Sequence, residues 1–409
     1  NRAISFVALA VLPLAAASAV YLHSTLEFGQ DMAERGRSML AARLTDDLRR
    51  ATEHGAVSIE SLRRRIEREV RFLASDVAQR METTSADSGE GVDPGFLMTP
   101  STAETAAGAD KAIDLERMSV RLGDDASRDQ VAGTLSRLDG LIDVARTVYL
   151  RNRSTISAVT VALESGVALD YPAGVADGGD PRESNWYPGT LETGEAATFL
   201  GNGRSLKRID IAAPIALADG RLAGVARISV RLEAALALAL NAAQLPPEAT
   251  AYLIVVPSDD PALTPHEVAT LAPEDRQWRV HDRPRALTPD GDDAWLKVIS
   301  DLRSGVPGLE YVEHGGQREA WAFGPVGRTP TAALHIAAVF PERLTEDAGT
   351  RAEGVVRKAY ERQMLNALAF AAAAAAIAVL LALFGARTLT RPIRRLHEAA
   401  GKLARGDFS

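Results

Sequence analysis

LKRIDIAAPIALADGRLAGVARISV, residues 206–230, reads as two strands folded back on each other. In its first half Ile209, Ile211 and Ile215 fall on one face of an extended chain, with Arg208 and Asp210 on the other. Side chains alternate across a strand, so this spacing predicts strand rather than helix. Ala218-Asp219-Gly220 supplies the turn, and Leu222, Ala226, Ile228 and Val230 then share a face, with Arg227 and Ser229 opposite. Period-two patterning on both sides of an Asp-Gly pair is a hairpin signal.

Working outward, the same period recurs upstream in Ser157–Leu163 and Val167–Tyr171, joined at Glu164-Ser165-Gly166, and in Ala196–Leu200. Before them, helical spacing covers Lys111–Leu122 and Arg128–Leu141, and a helix over Glu233–Gln244 closes the unit. A second, shorter unit follows. Its parts are a strand at Tyr252–Val256, a helix at Asp292–Ser304, and strands at Leu309–His314, Arg318–Phe323 and Ala332–Phe340. Each strand set reads as one antiparallel sheet with helices to a side, so the fold class is α+β with two modules in series.

The segment from His23 to Thr84 contains no proline, and apolar residues recur at helical spacing through Leu26, Ala33, Leu40, Leu44 and Leu48, then Ile59, Leu62, Ile66, Val70, Leu73 and Val77. A single helix over 23–84 would reach on the order of 90 Å. Gly36 and Gly55 are the two points at which it would break. Ser85 to Ala109, rich in Ser, Thr, Gly, Ala and Pro, reads as a loop.

Two stretches lack charge altogether. Ala3–Leu22 holds twenty uncharged residues behind Arg2. Twenty residues of helix cover about 30 Å, the thickness of a bilayer's hydrocarbon core. Its rival is a cleaved signal peptide, for which Ala17-Ser18-Ala19 would serve as the small-residue site. Met364–Phe384 holds 21 uncharged residues, six of them the alanines 371–376, and shows no polar stripe. Past it stand Arg387, Arg391, Arg394, Arg395, Lys402 and Arg405 against Glu398 and Asp407. The positive-inside rule turns that end toward the cytoplasm and leaves 23–363 outside it. The expected location is an inner (plasma) membrane, crossed twice, with the middle of the chain periplasmic or extracellular. The chain starts at Asn1 and stops at Ser409 inside a helical pattern, and it reads as a piece of something longer.

Composition narrows the function classes. The 409 residues carry a net charge of −8, and no basic face dominates, which argues against a general nucleic-acid partner. Cysteine is absent, which excludes disulfides and thiolate metal sites. The seven histidines, at 23, 54, 266, 281, 314, 335 and 397, show no zinc-site spacing, so neither a metal nor a cofactor is expected. Asp290–Asp293 reads as loop chemistry rather than a calcium site. With no phosphate loop, no Gly-x-Ser-x-Gly and no nucleophile beside a base, catalysis is not expected of this segment.

The order of these parts resembles the double Cache (dCache, PDC-like) sensor domains of bacterial chemoreceptors and sensor kinases. The resemblance rests on the long helix leaving the first span, the strand-turn-strand at Gly166, Trp186-Tyr187 after Asp-Pro-Arg, and the hairpin 213–228. It implies a long helix of 23–84 and two PAS-like antiparallel-sheet modules, one membrane-distal at about 110–246 and one membrane-proximal at about 250–345. Behind the second span (364–386), Arg391-Pro392-Ile393-Arg394-Arg395-Leu396 followed by Gly406-Asp407 is similar to the first helix of a HAMP relay domain, here 387–409. Ile393, Leu396, Ala400 and Leu403 make a 3-4-3 seam for a parallel bundle, so a homodimer is expected. Pro392 suits a first helical turn. Pro392, Ile393, Leu396, Gly406 and Asp407 are the candidate relay residues.

In dCache domains that sense amino acids, the family pattern places an Arg two residues before Trp-Tyr, a later Tyr and an Asp. Here Trp186 and Tyr187 keep the aromatic part and Phe199 stands for the Tyr, while Ser184 replaces the Arg and Ser229 the Asp. Arg182 offers a substitute by another loop path. The resemblance therefore implies a small-molecule ligand, and the missing carboxylate turns the expectation from an amino acid to an organic acid. Arg182, Arg208 and Arg227 would offer forked donors to it. The candidate ligand residues are Arg182, Trp186, Tyr187, Phe199, Arg208, Asp210, Arg227 and Ser229. Against this stand plainer readings: Trp186 and Tyr187 as sheet-packing aromatics, and Arg208 and Arg227 paired with Asp210 on a solvated strand face. The expected function is a transmembrane receptor that passes a signal to an output such as a chemoreceptor coiled coil, a histidine kinase, a phosphatase or a cyclase, and through it to cytoplasmic signalling proteins. A membrane-tethered extracellular enzyme and an adhesion or scaffold protein are the rivals.

Overall fold

One helix, α1, runs from Arg2 to Thr83 without a break at Gly36 or Gly55. The computed structural model describes residues 2–83, 97–98, 115–123, 128–138, 140–174, 179–201, 206–240, 245–246, 248–258, 264–287, 293–314 and 316–343. Toward the end of the chain it describes 358, 361–366, 368–370, 372–377, 379–381, 384, 395 and 400. Two compact units divide the chain, Arg43–Glu342 on one hand and Asn1–Ala42 with Arg343–Ser409 on the other.

In the first of these, α1 buries a stripe at i, i+3, i+4 spacing: Leu48, Ile59, Leu62, Ile66, Val70, Leu73 and Val77. Each such side chain contributes about 1.5–3 kcal/mol on burial. The opposite face is laced by i, i+3 and i, i+4 pairs such as Arg49 with Asp46 and Glu53, and Arg64 with Glu60.

After α1 come β1 (Leu97–Met98), β2 (Met118–Leu122), α2 (Arg128–Arg137), α3 (Leu141–Arg151), β3 (Ile156–Leu163), β4 (Val167–Tyr171) and a 3-10 turn at Pro181–Glu183. Next are α4 (Trp186–Thr193), β5 (Ala197–Leu200), β6 (Arg208–Ala216), β7 (Leu222–Arg231) and α5 (Leu232–Ala239). These strands form one sheet in the order β1-β2-β4-β3-β7-β6-β5, antiparallel except for β1 with β2. One face carries Val159, Val161, Leu169, Ile211, Ile228 and Val230 against α1 and α3. The other faces α4, through Ala162, Ala168, Ala212 and Val225.

The second sheet holds β8 (Thr250–Pro257), β9 (His266–Leu271), β10 (Trp278–Ala286), β11 (Gly308–His314), β12 (Gln317–Arg328) and β13 (Ala332–Pro341), with α6 (Asp293–Ser304) between β10 and β11. Its order is β10-β9-β8-β13-β12-β11, antiparallel throughout. Trp295, Val298 and Leu302 of α6 pack on Trp321, Phe323 and Val339. The hairpin that opened the sequence reading is present, and Gly224 explains part of its composition. A Cβ there would lie 2.2 Å from the Ala162 carbonyl oxygen on β3, so only glycine permits this pairing.

The α+β class, the long helix and the two antiparallel sheets stand as expected from the sequence. Four expectations need correction. Met118–Leu122, assigned to a helix over 111–122, is a strand, because it pairs with β4 from Ser119↔Asp170 to Leu122↔Val167. Arg128–Leu141 is not one helix, since α2 ends at Arg137 and Gly140, at φ +71°, starts α3. Leu97–Met98, inside the expected loop, pairs with β2. The strands β9 and β10 were not anticipated at all. The rest of the 85–109 stretch, the Asp290–Asp292 part of the aspartate-rich stretch and the relay residues Pro392, Ile393, Leu396, Gly406 and Asp407 lie outside the described residues. Glu361–Leu381 is the one helix among the described residues that is found long and apolar enough to cross a membrane.

Candidate functional site

The face of the first sheet beneath α4 carries polar residues in register across five strands. Directly opposed residues of antiparallel strands project to the same side, so the pairing alone brings them together. One row runs Ser119↔Asp170, Asp170↔Thr160, Thr160↔Arg227 and Arg227↔Ala212. The next runs Ala158↔Ser229, Ser229↔Asp210 and Asp210↔Phe199.

The polar atoms are linked end to end. Arg121 on β2 grips Asp170 with two donors, Nε at 2.6 Å and Nη2 at 3.1 Å. The Thr160 hydroxyl donates to the same carboxylate at 2.7 Å and accepts from Arg227 Nη2 at 2.8 Å. Arg227 Nη1 lies 3.8 Å from Asp210, which takes a hydrogen bond from Ser229 at 2.5 Å and has Arg208 at 3.5 Å. Asp170, Asp210, Ser229 and Thr160 are all 0 % exposed, and Arg227 is 2 % exposed. Buried charges are costly unless paired, and each carboxylate here has an arginine within ion-pair distance.

Helix α4 closes the face. The Arg227 guanidinium sits 4.6 Å from the centre of the Trp186 ring, which in turn meets Tyr187 edge-on at 5.8 Å. Trp186 is wholly buried, and its indole N–H has no hydrogen-bond partner among the described residues. Burial, with Glu164 adding to it, pushes the Tyr187 phenol up to about 12. Phe199 packs so close beneath α4 that a Cβ on Gly189 would stand 2.7 Å from its ring.

The structure therefore gathers Trp186, Tyr187, Phe199, Arg208, Asp210, Arg227 and Ser229 on one face, as grouped from the sequence. Arg182 is committed elsewhere. It donates to Asp180 through Nε and Nη2 and to the Glu164 backbone carbonyl through Nη1. The plainer reading of Arg208 and Arg227 is half right: they do face Asp210, but the face is buried under α4 rather than solvated.

Three members were missed, namely Arg121, Thr160 and Asp170. The signal was present, since Thr160 and Asp170 interrupt the otherwise apolar runs ISAVTVAL and VALDY. The absence of a carboxylate at Ser229 also matters less than its sequence position suggests. Asp210 stands directly across the ladder from it.

What can this face do? Among the described residues, three guanidinium groups (Arg121, Arg208, Arg227) share it with two carboxylates (Asp170, Asp210). An entering ammonium would have to displace an arginine from a carboxylate. An entering carboxylate would supply the missing negative charge and accept forked donors.

A family model described as HAMP domain matches residues 384–409. Among solved structures, the chain is similar to the ligand-binding domain of the Pseudomonas aeruginosa amino acid chemoreceptor PctB, in complex with L-Arg. That match has 15% identity, 73% of this chain and 95% of that one covered, and a TM-score of 0.40. It is also similar to the ligand-binding domain of the Campylobacter jejuni chemoreceptor Tlp3 in complex with L-valine, at 11% identity, 76% and 97% coverage and a TM-score of 0.43. A third is the ligand-binding domain of the Pseudomonas fluorescens chemoreceptor CtaA with L-isoleucine, at 15% identity, 76% and 98% coverage and a TM-score of 0.40. No curated protein matches the chain.

Proposed function

We propose that this chain is the input half of a membrane-anchored signalling receptor of double Cache type, which detects a small organic anion outside the cytoplasm. The observation that carries the reading is the order of parts. A folded two-sheet region is followed by the apolar helix Glu361–Leu381 and, directly behind it, by the HAMP match at 384–409. The ligand enters the face under α4, between Trp186 and the β6–β7 hairpin. Its carboxylate takes up donors from Arg227 and Arg208 as the Trp186 ring lifts from the guanidinium. A ligand shifts such an equilibrium only by its difference in affinity for the two arrangements, and here the added negative charge is that difference. The response passes through the membrane helix to the seam at Ile393 and Leu396, paired with the same seam of a second copy. The output belongs to a separate domain behind the relay.

The absence of cysteine makes the topology directly testable. A single cysteine at Asp282, whose side chain is 87% exposed, should react with a membrane-impermeant maleimide on intact cells. One at Lys402 should react only after lysis. The reverse pattern overturns the receptor reading. For the ligand, a thermal-shift screen of organic acids against amino acids should favour the acids, and Arg227→Lys should weaken their effect. Stabilisation by amino acids alone would refute the anion.

A further inference from the structure

On the face under α4 the two oxygens of Asp210 are unequal. Oδ1 accepts from the Ser229 hydroxyl at 2.5 Å and lies 3.8 Å from Arg227 Nη1. Oδ2 has Arg208 Nε at 3.5 Å, within ion-pair distance, and accepts no hydrogen bond among the described residues. Asp210 is 0 % exposed, so bulk water does not make good the difference. On the same face the buried Trp186 indole N–H donates to no described residue. One unmet atom is thus an acceptor and the other a donor. Leaving a buried polar atom unmet is costly, and folded proteins leave few. The Trp295 indole and the His335 ring are also buried without hydrogen bonds, but they belong to the packing of α6 on the second sheet, where Ala333 and Ala337 flank His335. There burial, reinforced by the Arg328 charge, lowers the His335 pKa to about 4 and keeps the ring neutral.

Arg227 stands between the two unmet groups under α4. Its guanidinium lies 4.6 Å from the centre of the Trp186 ring, and its Nη1 lies 3.8 Å from Asp210. A molecule whose carboxylate rests on Arg227 therefore brings the neighbouring carbon toward Asp210. Charge decides what that carbon carries. An ammonium could donate to Oδ2, but it would stand beside Arg227 and Arg208, both cations, where burial leaves little water to screen them. A hydroxyl donates to the same oxygen and adds no charge. A plain methylene leaves Oδ2 as it was.

We infer that the ligand of this face is a small 2-hydroxy acid, its carboxylate accepting from the Trp186 indole N–H and its hydroxyl donating to Asp210 Oδ2. The inference rests on the organic-anion reading given above and narrows it to acids with a hydroxyl beside the carboxylate. Asp210 then serves as a hydroxyl acceptor held between arginines rather than as a partner for an amine.

The test is calorimetric binding to the full chain in lipid nanodiscs, with two matched sets of probes: lactate, propionate and alanine, then malate, succinate and aspartate. In at least one set the hydroxy acid should bind about tenfold to a hundredfold more tightly than its deoxy partner, the ratio that one hydrogen bond to a charged group gives. The amino acid should bind more weakly than either. Trp186→Phe keeps a ring over Arg227 and deletes the N–H. It should weaken the hydroxy acid and its deoxy partner by a similar factor, because the indole serves the carboxylate they share. Equal binding within every pair that binds overturns the inference and leaves the anion reading standing. Tightest binding of the amino acid, or no binding of any acid, overturns both. A Trp186→Phe variant that binds the hydroxy acid as the parent does also overturns the inference, since the indole then meets no part of the ligand.

Discussion

Replacing Arg227 with methionine removes the cation from the most enclosed part of the face under α4 while keeping a side chain of similar reach. The variant loses the hydrogen bond to Thr160 at 2.8 Å and the stacking on Trp186 at 4.6 Å. Those contribute about 2 and about 1 kcal/mol respectively. It also leaves Asp210 with a weaker set of partners, Ser229 at 2.5 Å and Arg208 at 3.5 Å. Against these losses stands relief from keeping a guanidinium out of water, so the net expectation is a loss of ~3 kcal/mol, at the low end for a broken buried pair. For a unit the size of Arg43–Glu342, that lowers the thermal midpoint by about 6 °C, read by near-UV circular dichroism or scanning calorimetry of the solubilised chain. Asp210→Asn alone should cost at least as much, since it leaves the buried Arg227 and the half-buried Arg208 facing a neutral amide. The double variant should be more stable than the sum of the singles predicts, by about 1–3 kcal/mol. An unchanged midpoint for Arg227→Met, or strict additivity in the pair, would show that the two residues are solvated and that no closed ionic face exists.

Gly224→Ala should destabilise by about 2 kcal/mol or more, because its Cβ meets a backbone oxygen that cannot move aside. Gly36→Ala is the control: it has open space around it in α1, and should be neutral or stabilising by up to about 1 kcal/mol. His335 makes a pH prediction. With its pKa lowered from 6.5 to about 4, the unfolded chain takes up a proton between those values that the folded chain refuses. Stability should therefore fall as pH falls through that window, by about 3 kcal/mol at its end, and rise again toward neutrality. His335→Gln should remove that share of the acid loss, seen as a smaller drop in thermal midpoint between pH 7 and 4.5 than in the parent. A single cysteine at Ile393 should cross-link to its counterpart in membranes if two copies pair along the seam, and fail to do so if the relay segment is monomeric.

Strands β3 to β7 of the first sheet were easy to read because they alternate between a face packed on α1 and a face packed under α4, with turns at Gly166 and Gly220 marking their ends. In the second sheet β9 and β10 were not, and for β10 the reason is its position at the edge. β10 is an edge strand with the sequence WRVHDRPRA, mostly exposed, rich in arginine and carrying Pro284. Charge and proline are how edges avoid pairing with other chains, and they also erase the apolar pattern by which strands are recognised. β2 failed for a different reason: five residues are too few to separate one period from another, and only its pairing with β4 settles the matter.

The candidate site shows the same division between what is local and what is not. Aromatic and basic residues could be grouped from the sequence because they fall in recognisable segments. Their partners could not, because a ladder joins residues far apart in the chain: Thr160 meets Arg227 across 67 positions and Arg121 meets Asp170 across 49. This changes how Ser229 should be read. Taken alone, serine where the resemblance to amino-acid-sensing domains leads one to expect aspartate looks like the loss of an acidic group. In the ladder, the acid stands opposite it at Asp210, already neutralised by arginine. Both Ser229 and Asp210 are fully buried, and the serine hydroxyl donates to that carboxylate, so the negative charge is held within the protein. Among the described residues, the three guanidinium groups of this face outnumber its two carboxylates. That charge balance, rather than the absence of any single residue, is what motivates the proposal of an anion. Reversing it should reverse the preference: Ser229→Asp should weaken binding of organic acids, and if it instead strengthens them, the charge argument fails.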